Sequence, residues 1–224
     1  MEKLELVNVR ADLHQYLRDR YTLISPEFSE VVADALRFVE AVIRRGFKTA
    51  LVELTPQVRV QHCRPFIEVA EVVVGYHLRF VSQADHEMVR KSLLEAYTHI
   101  AGPAHIFKPA KKTRFVYTLR RSDSRKFAAL LLSLHLYNLI CAEIESEMRR
   151  RIPNAKALEL YMLNVEAICR DTVTNTVKAE AVAFDQEWAM TVIKRIEAQM
   201  LPRELHQVGR SISPNRSNTG NDRK

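Results

Sequence analysis

The sequence predicts an all-α fold, and two observations carry that prediction. Glycine is scarce: the 224-residue chain has five, where average usage of about 7% would give roughly 16. Sheets, tight hairpins and phosphate-binding loops use glycine because they need positive φ angles. In addition, apolar residues recur at helical spacing, between residues that typically begin and end helices. We therefore expect an irregular bundle of six or seven helices.

The N-terminal part of the chain begins with two expected helices. Leu4–Arg20 has apolar residues at helical spacing. Ser25-Pro26-Glu27 then combines an N-cap residue, a proline at the first helical position and an acid in the first turn. The apolar stripe that follows reaches Gly46, which we expect to end the second helix.

Further helices are expected before the middle of the chain. Thr55-Pro56 and Pro65 are typical helix starts, and the second leads into an apolar stretch at Phe66–Val81. Asp85 is expected to cap the next helix, and Gly102-Pro103 to end it.

The most apolar stretch, Phe127–Ala142, is expected to form a buried central helix. We expect Ser122 or Asp123 to cap this helix, which then runs to about Arg151. The apolar run has 16 residues, whereas a membrane-spanning helix needs about 20. Because the helical pattern also continues into charged residues, we expect no membrane span.

Two polar residues, His135 and Asn138, lie one turn apart within this apolar helix. If they are buried, they must find hydrogen-bond partners. A polar network in the core and a ligand pocket would each supply such partners, and the sequence leaves both open.

The C-terminal part begins after Pro153 with a long helical stretch, 154–200. A β-branched polar patch, Thr172–Thr176, lowers helix propensity there and is a candidate kink or break. From Pro202 onward the chain is polar and basic, and we expect disorder. The predicted organisation is one helical domain over 1–201, with a basic insertion at 103–126, followed by a disordered tail over 202–224.

Positive charge is concentrated in the segment from Pro103 to Lys126. This segment holds eight basic residues and one acid, so its charge of +7 equals the net charge of the whole chain. The tail carries +3, and the rest of the chain carries −3. Charge of one sign concentrated in this way attracts partners of the opposite charge.

The same segment contains the one strand-like pattern in the chain. In Arg114–Arg120, Phe115, Tyr117 and Leu119 form an apolar face at a period of two, and the cations Arg114 and Arg120 lie on the opposite face. His105-Ile106-Phe107 is expected to pair with it as a short β-hairpin, the alternative being an extended insertion. An aromatic face could pack inward and leave the cations solvated, but aromatics interleaved with cations also suit phosphate contacts combined with base stacking.

These features favour a non-catalytic intracellular protein that binds RNA or DNA with little sequence preference. The remaining interpretations of the charged segment are a solvated face without a partner, an acidic protein partner, and anionic lipid. The predicted contact residues are eight cations and two aromatic residues available for stacking: Lys108, Lys111, Lys112, Arg114, Arg120, Arg121, Arg125, Lys126, Phe107 and Tyr117.

Two further hypotheses come from other classes of function. One is a helical scaffold or regulator that acts through protein contacts or homo-oligomerisation, with the apolar stripe ending in Trp188, Ile196 and Met200 as its interface. The other is a helical enzyme, which requires a pocket with convergent polar groups near His135 and Asn138.

Several kinds of site lack their sequence signatures. The chain has no glycine-rich phosphate-binding motif, no nucleophile elbow and no H-E-x-x-H. Its three cysteines, Cys63, Cys141 and Cys169, form no C-x-x-C pair, which fits a reducing compartment. We expect a cytoplasmic location, or a nuclear one in a eukaryotic host, and no metal or cofactor.

Overall fold

The computed structural model of the protein describes residues 2–54, 64–108, 123–180 and 184–201. These ranges hold eight α-helices and two short 3₁₀ helices, so the predicted all-α class is confirmed. The α-helices are α1 (Glu2–Tyr16), α2 (Phe28–Arg45), α3 (Phe47–Leu54), α4 (Phe66–His77), α5 (His86–Ala101), α6 (Ser124–Arg151), α7 (Ala155–Ala179) and α8 (Gln186–Met200). The number exceeds the expected six or seven, in part because the C-terminal stretch divides into two helices.

The central helix is α6, as its apolar sequence predicts. It packs against α2, α5 and α7, and Leu131, Leu136 and Ile140 are almost completely buried. The buried apolar side chains form one continuous cluster that extends from Val9 to Met200. Within the described ranges, α6 is the one helix with the length and hydropathy of a membrane span, and 56% of its apolar window is buried inside the protein. A buried core helix has the same properties.

The helix ends are determined by local chemistry. Gly46 and Gly102 end α2 and α5 with φ angles of +87° and +79°, a conformation that favours glycine. Asp123 caps α6 by accepting a hydrogen bond from the Lys126 amide at 2.9 Å. Asp85 occupies the N-cap position of α5, but its side chain makes no capping hydrogen bond.

Of the two expectations for Thr172–Thr176, a kink or a break, the break is wrong, because α7 continues through this patch to Ala179. Thr176 is buried and donates its hydroxyl hydrogen to the Thr172 carbonyl at 2.8 Å. It also accepts a hydrogen bond from the Gln199 side chain at 3.2 Å. The helical backbone and α8 therefore provide partners for a polar side chain that propensity alone disfavours.

The first arm of the expected hairpin is not a strand. His105 lies in the 3₁₀ helix Pro103–His105, and Ile106 and Phe107 form the turn that follows. The physical reason is that the Ile106 and Lys108 carbonyls accept hydrogen bonds from the first amides of α4, which have no partner within their own helix. The second arm, 114–120, lies outside the described residues, as do Thr55-Pro56 and the tail from residue 202.

Candidate nucleic-acid interface

The basic segment leaves the folded core at Phe107 and Lys108. The amide of Phe66 donates to the Lys108 carbonyl at 2.9 Å, and the amide of Ile67 donates to the Ile106 carbonyl at 3.0 Å. The backbone on both sides of Phe107 is thus tied to the start of α4, while the Phe107 side chain is 75% exposed. Of the two interpretations of the aromatic residues in this segment, a buried face does not apply to Phe107, whose side chain is exposed.

The segment returns to the core at the start of α6, beside α2. The Ser124 hydroxyl donates to a Glu40 carboxylate oxygen at 3.2 Å, which joins the first turn of α6 to the middle of α2. Lys126 is exposed and Arg125 is partly exposed in that first turn. The N-terminal end of a helix carries partial positive charge. The two cations therefore add to the positive electrostatic potential at the start of α6.

The cations at the two ends of the segment lack carboxylate partners. Within the described ranges, no acidic side chain forms an ion pair with Lys108, Arg125 or Lys126. At the opposite end of α6 the situation differs, because Arg149 pairs with Glu145 at 2.5 Å, and the two following arginines pair with Glu147. Positive charge is therefore compensated at the C-terminal end of α6 and uncompensated at its N-terminal end.

An arginine groove adjoins this positive end. We use this name for the open groove of about 500 Å³ between α2 and the residues that precede α8. Glu40, which accepts the Ser124 hydrogen bond, is part of its wall. The lining residues are Arg37, Glu40, Ala41, Arg44, Arg45 and Phe184.

Each arginine of the groove is paired with one carboxylate and remains exposed. Arg44 pairs with Glu40 at 2.9 Å, Arg45 with Glu53 at 2.7 Å, and Arg37 approaches Asp34 at 3.4 Å. The exposed fraction of the side chain is 66% for Arg37, 74% for Arg44 and 55% for Arg45. Because a guanidinium has five N–H donors, one carboxylate leaves donors of each arginine for a further anion.

The structure thus describes four of the ten predicted contact residues, Phe107, Lys108, Arg125 and Lys126. It attaches the first end of the segment to the start of α4 and the second end to α2. The other six lie outside the described residues: Lys111, Lys112, Arg114, Tyr117, Arg120 and Arg121. Sequence reasoning missed the arginine groove. Arg37, Ala41 and Arg44 share one helical face at spacings of four and three, but nothing in the sequence indicates that Phe184 lines the same groove.

A second group of polar residues is buried between α2, α4 and α5. His77 Nδ1 lies 2.8 Å from Asp34 Oδ2, and His77 Nε2 lies 2.8 Å from the Tyr97 hydroxyl. Since an ionised carboxylate only accepts, the neutral ring donates from Nδ1 and accepts the Tyr97 hydroxyl hydrogen at Nε2. Burial lowers the pKa of His77, against the opposing effect of Asp34. Burial alone would raise the pKa of Asp34, but the hydrogen bond from His77 and the nearby Arg79 and Arg37 leave it lowered.

This chain of hydrogen bonds has the order carboxylate, imidazole, hydroxyl that is found in nucleophilic sites. However, the side chains of His77 and Tyr97 are almost fully buried, at 0% and 1% exposure. The cavity beside Tyr97 measures about 10 Å³ and has apolar walls, which leaves room for about one water molecule. The arrangement therefore joins three helices and offers no space for a substrate.

His135 and Asn138 belong to a third polar group, between α5 and α6. His135 Nδ1 lies 3.1 Å from the Ser92 hydroxyl, and Asn138 donates to Ser92 at 3.2 Å and to Glu95 at 2.9 Å. The imidazole stacks on Phe28 at 3.7 Å between ring centroids, and burial lowers its pKa to about 3. This is the hydrogen-bonded core network that was one of the two expectations, and it lies outside both the arginine groove and the small cavity.

The remaining candidate residues have ordinary surroundings. Cys169 is buried and Cys141 partly buried, and burial raises the pKa of both thiols, which makes them poor nucleophiles. Cys63 lies outside the described residues. In the described part of the chain, no group of three or more His, Cys, Asp or Glu side chains is arranged to hold a metal ion.

Comparison of the chain with models of protein families, with curated proteins and with solved structures finds no match.

Proposed function

We propose that this protein is an intracellular, non-catalytic protein that binds RNA or DNA with little sequence preference. The observation that carries this proposal is the meeting of the basic segment with the arginine groove. Ser124, at the end of the segment, donates to Glu40 in the wall of the groove. The first turn of α6, which holds Arg125 and Lys126, therefore adjoins the wall of the groove.

Two properties of this surface favour a nucleic acid over a small anion. The segment spreads its cations along the chain, which suits a polymer that presents many phosphates. The exposed ring of Phe107 next to Lys108 adds an aromatic platform, and stacking on such platforms is tolerant of sequence. An acidic protein or an anionic lipid surface offers charge but no base to stack.

Salt dependence provides the first test. If about five cations neutralise phosphates of a duplex, affinity falls about 500-fold between 50 and 200 mM salt. Fluorescence anisotropy with a labelled oligonucleotide measures this slope directly. Equal binding of anionic lipid vesicles or of an acidic polypeptide would instead identify a general polyanion surface.

Charge reversal provides the second test. We expect Arg120→Glu combined with Arg121→Glu to abolish binding, because it changes the charge of the segment by four units. The matched control is Arg149→Glu with Lys156→Glu, the same charge change near the C-terminal end of α6, which at 1.5 Å per residue lies about 40 Å from its start. Binding that survives in the first double variant, or that falls equally in both, would contradict the proposal.

The apolar stripe of α8, which the scaffold hypothesis requires as an exposed interface, is buried. Trp188, Val192, Ile196 and Met200 are all buried within the bundle, with exposures of 5% or less. A partner can reach this stripe only after α8 separates from α2 and α7. Protein contacts through this stripe are therefore not proposed.

A further inference from the structure

The arginine groove combines charge with an aromatic wall. Phe184, which precedes α8, lines the same groove as the arginines of α2. Its ring is supported from behind by Trp188, at 5.3 Å between centroids and 72° between planes. Trp188 is itself positioned by the helix cap, because its amide donates to Asp185 at 2.8 Å. The aromatic wall is thus held in place by the start of α8.

The dimensions of the groove match a nucleotide. Its volume of about 500 Å³ lies within the range of about 300–1,000 Å³ that is typical of small-ligand sites. Arg37 and Arg45 offer donors to a phosphate. Glu40, the carboxylate of the wall, is already engaged by Arg44 and by Ser124, which limits its repulsion of a bound anion.

The geometry favours one form of nucleic acid over the other. A base in a duplex is stacked on both faces, so reaching an isolated aromatic ring requires extrusion at a cost of a few kcal/mol. A single strand presents its base faces without that cost. We propose that the arginine groove binds one nucleotide unit of single-stranded RNA or DNA, with the phosphate on Arg37 and Arg45 and the base against Phe184. This inference rests on the proposed nucleic-acid-binding function and specifies its substrate.

The chain contains a reporter for this contact. Trp188 is its single tryptophan, and it touches Phe184, so a base that stacks on Phe184 changes the surroundings of the indole. We expect a single-stranded oligo(dT) to alter Trp188 fluorescence. Inorganic polyphosphate is expected to bind without that change, and a duplex of equal length to bind more weakly than the single strand.

The decisive variant is Phe184→Leu, which keeps an apolar side chain over Trp188 but removes the aromatic face. Loss of one base stack is expected to weaken oligo(dT) binding roughly 5- to 150-fold and to leave polyphosphate binding unchanged. Tyr21→Leu is the matched control, because Tyr21 is an aromatic residue that is 84% exposed and is not part of the groove wall. Unchanged urea midpoints in both variants show that the fold is intact.

The outcomes separate this inference from the function on which it rests. If the unaltered protein binds neither oligo(dT) nor duplex, both proposals fall. If it binds nucleic acid with a steep salt dependence but Phe184→Leu binds oligo(dT) as tightly as before, only the groove inference falls. Duplex binding as tight as single-strand binding, with the same fluorescence change, would also overturn it.

Discussion

The buried imidazole of His135 makes the stability of this protein sensitive to acid. Burial lowers its pKa to about 3, whereas a histidine in an unfolded chain titrates near 6.5. Below about pH 6.5 the unfolded chain therefore binds a proton that the folded protein does not, and the free energy of unfolding falls as the pH falls. Between about pH 7.5 and pH 5 the loss from His135 alone is about 2 kcal/mol.

His77 contributes in the same direction, since burial also lowers its pKa. The two residues can be separated by substitution. His135→Gln keeps a polar side chain beside Ser92 but cannot titrate, so the variant is less stable at neutral pH and loses less stability in acid. The loss of stability between about pH 7.5 and pH 5 should therefore be smaller in the variant than in the unaltered protein by about 2 kcal/mol.

Urea unfolding followed by circular dichroism at about pH 7.5, 6 and 5 measures this difference. A parallel pH dependence in the variant and the unaltered protein would refute the reasoning. An NMR titration of the His135 ring gives an independent result that does not depend on the variant, because the signal should remain that of a neutral imidazole down to about pH 4. A midpoint near 6.5 would show that the ring is accessible to water.

Two other predictions concern backbone and hydrogen-bond chemistry. Gly75→Ala should stabilise the protein by about 0.5–1 kcal/mol, because Gly75 lies within α4 and an added Cβ meets no atom within 4 Å. Gly46→Ala should instead destabilise it by about 1 kcal/mol, because the φ of +87° disfavours a side chain although space is open there. Urea unfolding of the two variants measures both effects, and equal effects would contradict the role given to the positive φ. Asp34→Ala should cost about 2–3 kcal/mol, because His77 loses a charged acceptor, whereas Tyr97→Phe should cost about 1 kcal/mol for a neutral hydrogen bond. A smaller loss for Asp34→Ala than for Tyr97→Phe in the same assay would show that the carboxylate is not the stronger partner.

The elements that the sequence predicted well have their cause in local chemistry. Gly46 and Gly102 end helices because the chain adopts a positive φ there, and Asp123 caps α6 because its carboxylate reaches the Lys126 amide. The apolar stretch after residue 127 predicted the central helix because so apolar a run is stable only when it is covered. Each of these features can be predicted from residues that are adjacent in sequence.

The errors arose where distant residues decide the outcome. The Thr172–Thr176 patch stays helical while Thr172, Val173 and Thr176 are buried against the rest of the bundle. Thr176 also bonds to Gln199 of α8, 23 residues away. The turn at Ile106 and Phe107 replaces the expected strand because its carbonyls accept from the first amides of α4. Secondary-structure propensity depends on neighbouring residues in the sequence and includes neither of these long-range hydrogen bonds.

The features of the candidate site also fall into two groups, those predictable from the sequence and those set by the tertiary structure. The sequence by itself determined the all-helical class, the central helix and the position of the excess positive charge, since these depend on composition and on spacing within one element. Only the tertiary structure decided that Phe107 is exposed and that Ser124 joins the basic segment to α2. It also decided that Phe184 lines one groove with Arg37 and Arg45. The physical reason is that a groove is formed by side chains from elements about 140 residues apart in sequence, and no local pattern encodes which surfaces will meet when the apolar faces are buried together.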